Sequence, residues 1–110
     1  MGKFYNKTLV IGRLGNDPEF DDTKKMPVSR FTLYNSTINN GHEEVMWHRV
    51  ICCGNQAILC KDNLQKGDMC CIEGRLDEKQ YESNGETKYS AWIIAERIVF
   101  LSASKRENKQ

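Results

Sequence analysis

The sequence predicts an all-β domain, a five-stranded Greek-key barrel with one short helix between strands three and four. Three observations carry that expectation. Apolar and polar residues alternate with a period of two in several short segments, as in Ser29-Arg30-Phe31-Thr32-Leu33 and Met46-Trp47-His48-Arg49-Val50. Glycines interrupt the first and fourth of these segments at Gly12 and Gly74, where a small barrel needs to bend its strands. The period changes once, between Asn55 and Leu64.

The first strand is read over Thr8–Gly15, and Asn16-Asp17-Pro18-Glu19 is read as the turn that ends it. A polar loop through Asp21, Asp22, Lys24 and Lys25 leads to the second strand, Pro27–Tyr34. That strand sets Val28, Arg30, Thr32 and Tyr34 on one side and Ser29, Phe31 and Leu33 on the other. Asn39–Glu43 is read as a loop before the third strand, which contains Trp47. The helix is expected over Asn55–Leu64 with Asn55 as its N-cap, and Lys66-Gly67-Asp68 stops it. The fourth strand is read over Met69–Leu76. Asn84-Gly85 signals a hairpin, and the fifth strand runs from about Thr87 to Leu101. This order fits the OB-fold, which binds oligonucleotides across strands two and three. Another small all-β barrel or sandwich remains the competing topology.

With 110 residues the chain has room for one core, assigned to residues 1–103, with 104–110 as a short polar tail. Charged residues make up 28% and the net charge is +1, so any affinity for nucleic acid must come from how charge is arranged on one face. The five cysteines include the adjacent pairs Cys52-Cys53 and Cys70-Cys71, which point apart in a strand, and no C-x-x-C occurs. They are read as reduced thiols used as small hydrophobes. The N-terminus has no secretory apolar run and no segment is long enough to span a membrane, so a cytoplasmic location is expected.

The most informative segment is Glu44–Ile51. In an extended strand Trp47, Arg49, Ile51 and Cys53 share one surface, and Met46, His48, Val50 and Cys52 share the other. A flat indole beside a guanidinium offers a face for an unstacked base and a cation for its phosphate. A buried Trp47 with Arg49 on the rim is the competing reading, since Trp is highly buried on average. Catalysis is not expected. The two histidines stand in different contexts, no nucleophile elbow, zinc-protease motif or phosphate loop is present, and Asp17, Glu19, Asp21 and Asp22 read as a solvated loop. No metal or cofactor is implied.

Several blocks then resemble the bacterial-type single-stranded-DNA-binding proteins. They are Asn6-Lys7-x-x-Val10-Ile11-Gly12-Arg13-Leu14-Gly15-x-Asp17-Pro18-Glu19, Phe31-Thr32-Leu33, Trp47-His48-Arg49-Val50, Leu64-x-Lys66-Gly67-Asp68 and Ile72-Glu73-Gly74-Arg75-Leu76. They keep that family's order from Asn6 to Leu101. The resemblance implies an OB-fold, a homotetramer of paired protomers, and sequence-tolerant binding of single-stranded DNA in replication, repair and recombination. It implies that bases stack on Trp47 and Tyr81, and that Arg49 and Lys66 line the strand's path. It also implies that His48 contributes to subunit contacts; a histidine satisfied within its own chain is the alternative.

The chain departs from the family in four places. Cys53 resembles the position of a stacking phenylalanine, and the loop around Ile38 and Asn39 lacks a tryptophan often found there. Asp77 and Glu78 stand where relatives carry Arg or Thr. The family's acidic tail, which recruits repair enzymes, is absent from a chain ending Ser104–Gln110, implying either a truncated chain or a tailless organellar, phage or specialised form. Tyr34 and Tyr5 are candidates to replace lost stacking. Lys7, Arg13, Arg30, Lys79 and Lys88 join Arg49 and Lys66 as candidate phosphate contacts. An OB-fold adaptor that works mainly through protein contacts, with weakened DNA affinity, is the alternative function.

Overall fold

The computed structural model of the chain describes residues 5–102. Its elements are β1 (Thr8–Leu14), β2 (Glu19–Asp21), β3 (Val28–Asn39), β4 (His42–Cys53), α1 (Asn55–Asn63), β5 (Met69–Ser83) and β6 (Glu86–Phe100). The strands pair in the order β1-β5-β6-β4-β3, and β1 then pairs with β3, which closes the ring. The result is the expected five-stranded barrel, with α1 between its third and fourth strands. The closure uses two short seams. β1 meets β3 at Arg13↔Tyr34 and Leu14↔Leu33, and β4 runs parallel to β6 at Val50↔Ile93 and Ile51↔Ile94.

Glycine permits both bends, by different means. β1 keeps continuous register with β5 through Gly12, so Gly12 forms no bulge with that partner. A Cβ there would lie 2.6 Å from the Tyr34 carbonyl oxygen, because this is where β1 crosses from β5 to β3. Gly74 does sit at a register shift, after Glu73, and a Cβ there would collide with the Ile94 carbonyl oxygen.

The alternating residues read from the sequence fill the interior. Val10, Leu14, Phe31, Leu33, Val50, Cys52, Cys70, Ile72 and Ile93 are buried together, and Cys60 and Leu64 join them from α1 and the residue after it. Ser29 is buried too, and its hydroxyl donates to the Ala57 carbonyl at 2.8 Å, fastening α1 to β3. Cys60 and Cys52 approach within 3.6 Å at sulfur. The hydrogen bond with Cys60, together with burial, raises the Cys52 thiol far above its ordinary pKa; burial pushes Cys70 up to about 12.

The structure differs from the sequence reading at four boundaries. Glu19–Asp21, expected as turn and loop, is a three-residue strand against Val28–Arg30, steadied by Lys61 Nζ lying 5.0 Å from the centre of the Phe20 ring. Asp21 closes the following turn by accepting from the Thr23 hydroxyl at 2.6 Å and amide at 2.9 Å, which holds its carboxyl below the usual range. Asn55 is the first helical residue, not the cap. Gly54 caps the helix at φ +71°, the left-handed region that glycine tolerates, and the chain turns there straight out of β4. Asn40-Gly41 is a two-residue turn, so β3 and β4 run on to Asn39↔His42. β5 continues past Leu76 to Ser83, paired among the described residues with β6 alone as a polar ribbon. The expected tail, residues 104–110, lies outside the described residues.

Candidate nucleic-acid interface

Strand parity on β4 divides the barrel's inside from its outside as the sequence suggests. Val50 and Cys52 are fully buried, whereas Trp47 is 60% exposed. The core reading of Trp47 therefore fails. Tyr34, directly opposite on β3, sets its ring centre 5.2 Å from that of Trp47 at 45°. The indole rests over Gly15, where a Cβ would come within 2.5 Å of its Cζ3. That corner is tied down by hydrogen bonds to β3. The Gly15 amide donates to the Thr32 carbonyl at 2.9 Å, and Asn16 Oδ1 accepts from the Thr32 amide at 2.9 Å and hydroxyl at 2.7 Å.

Arg49 lies two residues along the same face, opposite Thr32. The parallel seam Val50↔Ile93 sets Trp92 of β6 beside it, and the guanidinium carbon stands 5.0 Å from the Trp92 ring centre. Asn16, Glu19, Arg30, Thr32, Arg49 and Trp92, with Phe31 beneath, enclose an open recess of about 290 Å³. A second cleft of about 220 Å³ separates Trp47, His48 and Arg49 from Leu76, Ala91 and Ile93. Past Trp92 the same face continues onto the β5–β6 ribbon, through the pairs Asp77↔Trp92, Lys79↔Ser90 and Tyr81↔Lys88. Tyr81 and Lys88 are exposed, and Lys79 pairs with Asp77 at 3.5 Å.

One outer surface thus brings together Tyr34, Trp47, Arg49, Arg30, Lys79, Tyr81 and Lys88. Arg13 borders it beside Tyr34, with its Nη1 donating to the Gly67 carbonyl at 3.0 Å. Lys66 stands at that same corner, its amide bonded to Asp17 at 2.8 Å and its side chain exposed. Lys7 is engaged elsewhere, shared between Glu73 at 3.5 Å and Glu96 at 3.6 Å. Tyr5 is 95% exposed. Cys53 is exposed on the Trp47 face. His48 is half-buried, and among the described residues its Nε2 has no hydrogen-bond partner. Among those residues no group of three His, Cys, Asp or Glu is placed to hold a metal, and no helix is long and apolar enough to cross a membrane.

The sequence reading missed Trp92, Asn16 and Gly15. Trp92 sits in the apolar run Ala91–Ile94, which shows no alternation, so only its lateral register with Arg49 reveals that it faces outward.

Residues 5–101 match the sequence profile of the Single-strand binding protein family. The chain belongs to that family. It is a family of DNA-binding proteins without enzymatic activity. The single-stranded DNA-binding protein 1 of Chlorobaculum tepidum is 35% identical to this chain over 94% of it and 68% of the relative. The single-stranded DNA-binding protein of Xanthomonas campestris is 32% identical over 92% of the chain and 63% of the relative. The chain thus spans about two thirds of the length of these family members. A Plasmodium falciparum member solved in complex with single-stranded DNA superposes with a TM-score of 0.83 at 25% identity, covering 93% of this chain and 99% of that one.

Proposed function

We propose that the chain binds single-stranded DNA, tolerant of sequence, along the outer face of β3, β4, β6 and the ribbon, serving replication, repair and recombination. The observation that carries the reading is the ring pair of exposed Trp47 and half-buried Tyr34 with Arg49 and Arg30 beside it. Rings accept any base by its π-face and the cations follow the phosphates, which explains tolerance of sequence without base-edge contacts. The names of the relatives and the DNA-bound neighbour support it. A titration of oligo-dT across a range of salt, read by tryptophan fluorescence, tests it. Strong quenching is expected, with log K falling against log salt at about −0.7 per phosphate contacted. With Lys7 and Lys79 engaged by carboxylates, the slope is set by the remaining cations and is correspondingly shallow. No quenching at low salt would favour the adaptor reading instead.

The same proposal extends to a homotetramer. From Thr8 to Gly12 one edge of β1 has no strand partner among the described residues; the Asn35 side-chain Nδ2 reaches it, donating to the Ile11 carbonyl at 3.5 Å. Leu9 and Ile11 are 65% and 53% exposed on the outer face. An open, apolar edge strand calls for a cover, and a second copy pairing edge to edge supplies one. The family resemblance assigns half-buried His48 a second contact between pairs. His48→Tyr should loosen the tetramer and make DNA binding depend on protein concentration, as sedimentation would show; a monomeric parent at micromolar concentration would refute the assembly.

A further inference from the structure

We propose that Trp92 is a second base-stacking platform, and that the recess between it and Arg30 receives one nucleobase of the bound strand. The inference rests on the single-strand reading and adds a site to it that neither the sequence motifs nor the resemblance assigns.

Three features support it. Trp92 is joined to the Trp47 strand by the parallel seam, so a strand of DNA leaving the Tyr34–Trp47 pair along this face meets the recess before it reaches the ribbon. The recess, about 290 Å³, falls just below the roughly 300–1,000 Å³ that small-molecule pockets span, a size suited to one flat ring system. Its walls combine an indole face with two guanidinium groups, the chemistry that stacks bases and holds their phosphates.

The remaining walls argue against reading of base identity. Asn16 Oδ1 is already engaged by Thr32 through both its amide and its hydroxyl, so it props the wall rather than probing a base edge. Among the described residues that line the recess Glu19 is the one carboxylate, and it turns phosphate toward the Arg30 and Arg49 side. Arg49, now over the Trp92 ring at 5.0 Å, moves outward to admit a base, and ends either against the far face of that base or on the adjoining phosphate.

The competing role for Trp92 is to orient Arg49 without touching DNA. Both roles make Trp92→Leu weaken binding, so affinity alone does not separate them. The chain holds two tryptophans, and Trp47→Phe leaves Trp92 as the only indole while keeping a ring at 47. The test adds oligo-dT carrying 5-iodouracil to this variant. It follows Trp92 fluorescence, maps the photo-crosslink by mass spectrometry, and measures binding independently through the anisotropy of a labelled oligonucleotide. Strong quenching with a crosslink on Trp92 is expected, together with a loss of about 5- to 150-fold in affinity for folded Trp92→Leu, the worth of one stack. A variant that binds by anisotropy but shows neither quenching nor crosslink at Trp92 overturns the platform and leaves the single-strand reading intact. If the parent chain shows no binding, both fall together.

Discussion

The ring pair on the barrel wall and the ring on the ribbon present similar chemistry on very different supports. Trp47 lies on β4 three residues before the seam with β6, paired with Tyr34, which β1 in turn meets at Arg13, and with Gly15 beneath. Tyr81 lies beyond the last pairing of β1, at Thr8↔Gly74, on a stretch where β5 has only β6 for a strand partner among the described residues. A two-stranded hairpin is marginal by itself in water. The wall therefore holds its rings ready before any base arrives, whereas the ribbon, held by a single seam, has more motion to lose on binding, and that loss costs part of what the contact supplies.

The harshest way to break the comparison is at Gly74, where the ribbon leaves the barrel. Gly74→Ala places a methyl group on the Ile94 carbonyl oxygen, backbone against backbone, and neither side yields without disrupting the β5–β6 register. The expected loss of stability is about 3 kcal/mol or more, read as the urea midpoint. A variant that melts like the parent would show that the ribbon's exit does not depend on close approach at this bend.

Trp47→Ala should follow, with a loss of about 1–3 kcal/mol in single-strand affinity and little change in stability, because most of the ring faces solvent. Parent-like affinity in a folded variant would remove Trp47 from the interface.

Gly15→Ala sharpens the point by leaving every ring in place. The new Cβ would stand 2.5 Å from Trp47 Cζ3 and 2.9 Å from Thr32 Oγ1, so the indole must shift off its seat. An affinity loss of about 1 kcal/mol is expected, smaller than that of removing the ring, because a displaced ring still stacks. A shift in the tryptophan emission maximum should accompany it.

Tyr81→Ala should have the smallest effect, under about 1 kcal/mol, since ordering the ribbon offsets about 0.5–1.5 kcal/mol per immobilised side chain. A loss equal to that of Trp47→Ala would show the ribbon to be as preorganised as the wall.

Legibility in the sequence follows the same division. Along β3 and β4 one side faces a core and the other faces water, so alternation reveals both strands and the outward course of Trp47 and Arg49. The ribbon from Asp77 to Ser83 covers no core and so has no apolar period; only the Asn84-Gly85 turn betrays it. Asn40-Gly41 carries the same signal, yet the polar residues around it read as loop. β2 stayed hidden because its three residues pair with the edge of β3 and take their order from that neighbour. Trp92 stayed hidden because its outward course depends on a contact between β4 and β6, strands far apart in the chain.

The arrangement of the five cysteines gives this face a chemical handle. Thiol-directed reagents attack the thiolate, and burial with a raised pKa keeps Cys52 and Cys70 protonated at neutral pH, while Cys60 is sealed in the same core. Cys53 stands in solvent on the side of β4 that carries Trp47 and Arg49. A maleimide or iodoacetamide therefore meets the proposed binding face first, with half-buried Cys71 a slower second. On the proposed path a dye attached at Cys53 would stand beside the DNA, and bound DNA would in turn shield that one sulfur from alkylation.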